Sequence, residues 1–222
     1  MTTPAAESRP PSPAPDSCYA YLIRHGATAA SAAHPVIMQG RTMDSPLSEI
    51  GHRQAADVGR FLADRRVDAV YASPMVRAQQ TAAAAGKAHG LSPVAVESLI
   101  EADLGRWEGL SWDEIKQREP EEYERFVSRP DVHGYGGGES IADVRQRALP
   151  ALEQVMQQHL GGIVAIVTHR IVIRACVAYL IGMPLAEARR LSPSTCGISL
   201  LRYRRGEIEV TTFNALFHLS TW

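Results

Sequence analysis

Short unbroken apolar runs alternate along this chain with longer stretches in which apolar residues recur every three or four positions, the signatures of buried strands and amphipathic helices. Tyr-Ala-Tyr-Leu-Ile at 19–23 predicts a buried strand that opens abruptly into Arg24-His25-Gly26. Ser48 is placed to cap a helix over 49–64 whose inner face would hold Ile50, Val58, Phe61 and Leu62. Residues 67–71 predict a second strand stopped by Ser73-Pro74; an alanine-rich helix follows over 76–89, and 94–96 offer a third strand. Further on, Ser140 starts a helix with Ile141, Val144, Ala148, Leu152 and Val155 on one stripe and Gly161-Gly162 as its stop. Ile-Val-Ala-Ile-Val at 163–167 is the clearest strand, and 171–180 read as a buried helix ended by Gly182 and Pro184. Segments 197–203 and 207–213 flank Arg205-Gly206 as a hairpin. Strands alternating with helices predict an α/β fold: a three-layer sandwich with a largely parallel central sheet flanked by helices. Ligands of such sheets bind beyond the carboxyl ends of the strands.

One region, 103–138, differs in character. It carries Trp107, Trp112, Tyr123, Phe126 and Tyr135 among mixed charges, and closes on Gly136-Gly137-Gly138. Ser111 and Glu114 form a capping box for a helix inside it. It reads as a small cap insertion that could cover a ligand, although aromatics gathered in this way more often form an insertion's own core. Residues 1–17 contain five prolines and no apolar run, and read as a disordered leader ahead of a domain spanning 18–222.

Composition narrows the function classes. With 222 residues, 45% hydrophobic and 21% charged, the chain has material for one substantial core, which excludes disordered, collagen-like and coiled-coil proteins. A net charge of −1 supplies no overall positive field for nucleic acid or an anionic membrane. The longest apolar stretch, 163–181, is interrupted by His169, Arg170 and Arg174, which excludes a membrane span. Cys18, Cys176 and Cys196 are odd in number and lack a CxxC spacing, so reduced thiols in a cytoplasm are the simpler reading. The eight histidines show neither HExxH nor an i,i+4 pair, so no metal or cofactor is expected. A small-molecule substrate is the expected partner, with a homodimer as the oligomer to look for.

Two of the strands end in histidine at equivalent places, Arg24-His25-Gly26 and Thr168-His169-Arg170. A third leads through Ser73-Pro74 to Arg77, and a fourth through Leu99 to Glu101. If these strands are neighbours, their ends bring together two histidines, two arginines and a carboxylate. Those are parts that phosphoryl transfer needs: guanidinium forks match phosphate oxygens, a neutral imidazole can attack phosphorus, and a protonated carboxyl can protonate the leaving oxygen. Each residue also has a plainer reading. His25 alone could be a satisfied polar residue at a strand end, Arg77 a solvated residue at a helix start, and Glu101 with Asp103 an exposed acidic pair.

The segment 22–31, Leu-Ile-Arg-His-Gly-Ala-Thr-Ala-Ala-Ser, resembles the RHG signature of the histidine phosphatase superfamily, the phosphoglycerate-mutase-like group. The resemblance continues in order through 39–55, 71–82, 99–109, 137–147 and 167–174, and ends at 214–219. It implies a phosphoglycerate-mutase-like fold and a metal-independent phosphomonoester hydrolase working through a phosphohistidine. His25 would be the nucleophile, and Arg24, Arg77 and His169 would neutralise the transferring phosphoryl group. Glu101 would be general acid and then general base, with Asp103 the next carboxylate to test. Gln39 and Gly40 would line the pocket, and the helix start after His169 would offer its amides to the anion.

Two positions depart from the commonest pattern of that family. Ser31 stands where asparagine is usual, which weakens a phosphate-directed donor, and Arg170 follows His169 where glycine is frequent. Arg170 either reaches the pocket rim, favouring substrates with a second negative group, or turns outward to a surface carboxylate. Surrounding cations should depress the pKa values of both His25 and Glu101, helping the nucleophile and hindering the acid until substrate binds. Two rival functions remain in view. A phosphoglycerate-type mutase would resemble its relatives more closely with a basic stretch after Glu101, where this chain has Ala-Asp-Leu-Gly. A non-catalytic scaffold that binds phosphorylated ligands would not need the complete set of His25, Arg24, Arg77, Glu101 and His169.

Overall fold

A computed structural model describes residues 13–220. Six strands form one sheet: β1 (Ser17–Arg24), β2 (Ala69–Ala72), β3 (Val94–Ala95), β4 (Ile163–Thr168), β5 (Ile198–Arg204) and β6 (Glu207–Ala215), in the order β3-β2-β4-β1-β5-β6. The pairs β3–β2, β2–β4 and β4–β1 are parallel, and β1–β5 and β5–β6 are antiparallel. All six residues of β4 are buried, as an apolar run covered on both faces requires. Its side chains alternate between two cores. Val164 and Ile166 face α6 (Ile141–Gln158) and α7 (Arg170–Leu180), while Ala165 and Val167 face α2 (Glu49–Ala63) and α3 (Val76–Gly86). The result is the expected three-layer sandwich with a mostly parallel sheet.

The caps anticipated at Ser48, Ser111 and Ser140 all form, the last two as reciprocal capping boxes with Glu114 and Asp143. At the hairpin tip Arg205 and Gly206 both adopt positive φ, 52° and 86°, which joins β5 to β6 in the primed-turn geometry that suits the strand twist. Three details differ from expectation. Ile50 is 44% exposed, so the inner face of α2 rests on Gln54, Ala55, Val58 and Leu62 instead. The helix over α3 stops at Gly86, and 87–89 form a tighter turn. Of the expected leader, 1–12 lie outside the described residues, but Ser17 already pairs in β1 and Asp16 holds Arg204, so its last residues belong to the fold.

The 103–138 segment contains α4 (Trp112–Arg118) and α5 (Pro120–Ser128). Trp107, Trp112, Phe126 and Tyr135 pack ring against ring, with centroids 4.3–6.1 Å apart along the chain of contacts. Its two ends meet: Glu139 N–H donates to the Asp103 carbonyl and Asp103 N–H to the Glu139 carboxylate, both at 2.9 Å. A Cβ on Gly138 would lie 2.2 Å from the Asp103 carbonyl oxygen, so the closing glycine run permits this approach. Helix α1 (Ala29–Ala32) is a single turn near the pocket rim.

Candidate active site

Parallel pairing of β1 with β4 places Arg24 opposite Thr168, so the residues that follow, His25 and His169, emerge side by side. The His25 N–H donates to the Thr168 carbonyl at 2.9 Å, and the two imidazole centroids are 5.1 Å apart. Both rings are buried. His25 Nδ1 lies 2.7 Å from the Gly26 carbonyl, which can only accept, so Nδ1 carries the proton and Nε2 keeps its lone pair. Gly26 permits this turn because a Cβ there would stand 2.6 Å from the Gly51 carbonyl oxygen. His169, at the start of α7, is held through Nε2 by the Ser73 hydroxyl at 2.7 Å, while its Nδ1 has no protein partner.

The arginines are held by backbone carbonyls. Arg24 donates to Pro193, and Arg77 donates to Met43 and Gly40 at 3.0 and 2.9 Å. The Nε atoms of Arg24 and Arg77 are buried without a partner. Arg77 is fully buried, which sets aside the reading of it as a solvated helix-start residue; Asp44, at 3.6 Å, is its nearest carboxylate. The loop that presents those carbonyls is held by Glu108, which accepts from the backbone of Gly40, Thr42 and Met43. Glu108 is a positioning residue that sequence reasoning missed, lying nearly seventy positions along the chain from the loop it fixes.

Glu101 is 3% exposed and accepts from the Ala102 N–H at 2.9 Å and the Ile171 N–H at 3.3 Å. Two expectations are corrected here. An amide at the start of α7 engages Glu101, where an incoming anion was expected. The Glu101 pKa is also raised, not lowered, because complete burial outweighs the two hydrogen bonds and the attraction of Arg77 and Arg24. Burial therefore favours the protonated form of this carboxyl more than water does. The pKa values of His25 and His169 are both lowered well below that of free histidine, first by burial and then by the neighbouring arginines. Burial together with repulsion from Arg170 brings Arg24 down to about 9.

The remaining expected residues divide. Gln39 borders the pocket and bridges the Thr28 hydroxyl and the Met43 carbonyl. Gly40 does not line it: it is buried behind, its carbonyl spent on Arg77. Ser31 borders the cavity, but its hydroxyl is engaged with the Thr28 backbone in capping α1. Arg170 reaches the rim, donating to the Ser192 hydroxyl at 2.9 Å, and forms no ion pair with a carboxylate among the described residues. Asp103 is engaged by Arg41 and the Gly105 N–H, away from the cavity lining. Trp112 and Tyr135 line the pocket, as the reading of 103–138 as its cover implies; Arg174 and Arg189 line it too without having been singled out, and only the spacing of Arg174 four residues after Arg170 signals it. Among the described residues no group of three His, Cys, Asp or Glu could hold a metal, and no helix is long and apolar enough to cross a membrane.

Residues 20–216 match the sequence model of the histidine phosphatase superfamily (branch 1). Phosphoserine phosphatase 1 of Hydrogenobacter thermophilus is 30% identical over 198 residues, covering 89% of this chain and 92% of that one. A metal-independent phosphoserine phosphatase of Arabidopsis thaliana is 35% identical over 203 residues, 90% of this chain and 82% of its own. A probable phosphoglycerate mutase of Yersinia pestis is 30% identical over 184 residues, 83% and 84% of the two chains. Among solved structures, Bacillus stearothermophilus YhfR superposes with a TM-score of 0.84 at 31% identity, covering 91% of this chain and all 100% of that one.

Proposed function

This chain belongs to the histidine phosphatase superfamily, and from that premise we propose how its own residues perform the chemistry. It is a phosphomonoester hydrolase of small phosphorylated metabolites, as its phosphatase-named relatives support. His25 Nε2 attacks phosphorus and displaces the substrate alcohol, giving a phosphohistidine; water then attacks that phosphorus and returns free His25 and inorganic phosphate. Arg24 and Arg77 take the equatorial phosphoryl oxygens, using the N–H groups that have no protein partner, and His169 sits beside them. Glu101 gives its proton to the leaving oxygen and takes one from the attacking water in the second step.

The observation that carries the reading is the His25 tautomer, because a carbonyl at 2.7 Å fixes the proton on Nδ1 and leaves Nε2 free. The 103–138 insertion, whose Leu104, Trp112 and Tyr135 line the pocket, selects the leaving group. Three buried free cysteines, which an oxidising compartment would not favour, support a cytoplasmic location. Rapid quenching during turnover should trap an acid-labile, alkali-stable phosphoenzyme, and His25→Ala should give none. Label retained on a serine or an aspartate would overturn the assignment.

A further inference from the structure

Three guanidinium groups of the pocket are not needed by the transferring phosphoryl group. Arg170 and Arg174 stand four residues apart on α7, and so on one helix face. Consecutive residues of the following segment hold them: Arg174 Nε donates to the Leu191 carbonyl at 2.9 Å, and Arg170 to the Ser192 hydroxyl. Arg189, from the same segment, lies over the rings of Trp112 and Phe126 at 4.8 and 5.3 Å from their centroids. None of the three pairs with a carboxylate among the described residues.

Against this charge the cavity presents a single carboxyl, Glu101, whose oxygens already accept from two backbone amides. Tyr135 is 1% exposed, lines the same cavity, and its hydroxyl has no well-formed hydrogen bond; Arg170 Nε is likewise buried without a partner. Burial and mutual repulsion lower the pKa values of Arg170 and Arg189, the strain expected of cations gathered without their counter-ion.

We propose that Arg170, Arg174, Arg189 and the Tyr135 hydroxyl form a second anion subsite that receives a phosphoryl group of the substrate other than the one transferred. The preferred substrate is then a small bisphosphorylated metabolite. The subsite shares its cavity with His25 and Glu101, so the second phosphoryl group is carried on the leaving alcohol. A carboxylate would bring one charge and two oxygens to three guanidinium groups; a phosphoryl dianion brings two charges and three acceptor oxygens, each suited to a guanidinium fork. The proposal rests on the phosphatase reading of the same pocket for its orientation.

The test uses a matched three-carbon series: 3-hydroxypropyl phosphate, 3-phosphooxypropanoate and propane-1,3-diol bisphosphate. The intact enzyme should show kcat/KM for the bisphosphate at least about tenfold above the carboxylate compound, with the neutral-tailed compound lowest. Arg189→Gln and Arg174→Gln should each lose at least about tenfold more on the bisphosphate than on the neutral-tailed compound. A uniform loss across the series would overturn the subsite, and a carboxylate preference would overturn its assignment to phosphate. Calorimetric binding of the bisphosphate to His25→Ala, with and without Arg189→Gln, reads the subsite without turnover. A tighter grip on the bisphosphate that disappears with Arg189→Gln supports it even if the nucleophile has been misassigned. Equal binding of the bisphosphate and the neutral-tailed compound would overturn it. Arg189→Gln is the safer variant, since among the described residues its guanidinium rests on ring faces rather than on backbone carbonyls.

Discussion

In the strand-end half of the site Arg77 and Glu101 are each held by two hydrogen bonds with the backbone and both imidazoles are set by one, whereas the three guanidinium groups of the neighbouring wall have one protein hydrogen bond or none apiece. His25 is set by Gly26, His169 by Ser73, Arg77 by two carbonyls and Glu101 by two amides. Arg170 and Arg174 have one hydrogen bond each, and Arg189 has ring faces. The difference follows from what each half must do. A reacting centre gains most from donors already aimed before substrate arrives, while a recognition wall can leave its donors for the ligand to satisfy. Substitutions at the first half should therefore act on the chemistry of every substrate, and those at the second on the choice among substrates.

The largest expected effect in that contrast is at Glu101. Glu101→Gln should cost about 10²–10⁴-fold in kcat on substrates with poor alkoxide leaving groups, the usual worth of general acid catalysis, and far less on activated aryl phosphates. The pH profile gives a second reading. As the proposed nucleophile His25 has to be neutral, and its pKa lies well below that of free histidine, so the acid limb of kcat/KM should fall below about pH 6.5. As the proposed general acid Glu101 has to be protonated, and its pKa is raised, so activity should decline as pH climbs through that raised value. Glu101→Gln should abolish the alkaline limb alone; its survival would place the acid elsewhere.

Trp107→Ala is expected to come next and to act mainly on stability. Trp107 is fully buried between Trp112 and Phe126 and donates its indole N–H to Glu119, so truncation should cost about 3–5 kcal/mol in a urea or thermal melt. If the insertion only shapes the recognition wall, the folded fraction should keep most of its aryl phosphatase activity while its preference among alkyl phosphates flattens. A proportionate loss on both would join the insertion to the reacting centre.

Prolonged chelation should have the smallest effect. If Arg24 and Arg77 supply the charge compensation as proposed, kcat should change by less than about twofold. A loss restored by a divalent ion would show that the two arginines do not suffice.

The reacting half was readable because strand ends are readable. Two apolar runs ending in His25 and His169 needed only to be neighbours, and the β1–β4 pairing supplies that. The caps at Ser48, Ser111 and Ser140 were legible for a similar reason, since a cap depends on residues three apart. The arginine wall is obscured by its setting: 171–180 reads as a buried apolar helix, and beyond its spacing from Arg170 nothing local says that Arg174 turns toward a cavity that Arg189 also lines. The direction of the Glu101 shift was missed because a list of neighbouring charges contains no measure of how completely the group is removed from water. Periodicity alone puts Ile50 on the inner face of α2, while the buried polar Gln54 takes part in that face by accepting from the Ala27 N–H.

The place where the insertion leaves and rejoins the sandwich bears on how such a chain can be remade. Asp103 and Glu139 are joined to each other by backbone and carboxylate hydrogen bonds, and Arg147 ties Glu139 to the carbonyls of Ser98, Ile100 and Glu101. The socket is thus closed by the first residue of the segment, Asp103, on Glu139 and Arg147 just beyond its end. The entropy of closing a loop grows only slowly with its length, so a replacement for 104–138 needs ends that meet at this clasp more than it needs a particular size. Domain grafting between relatives, with the graft points at 103 and 139, would exchange the aromatic segment while the histidines, Arg24, Arg77, Glu101 and the three guanidinium groups of the wall stayed on the host scaffold, and the graft would need a carboxylate in place of Glu108 to keep the 40–43 loop on Arg77.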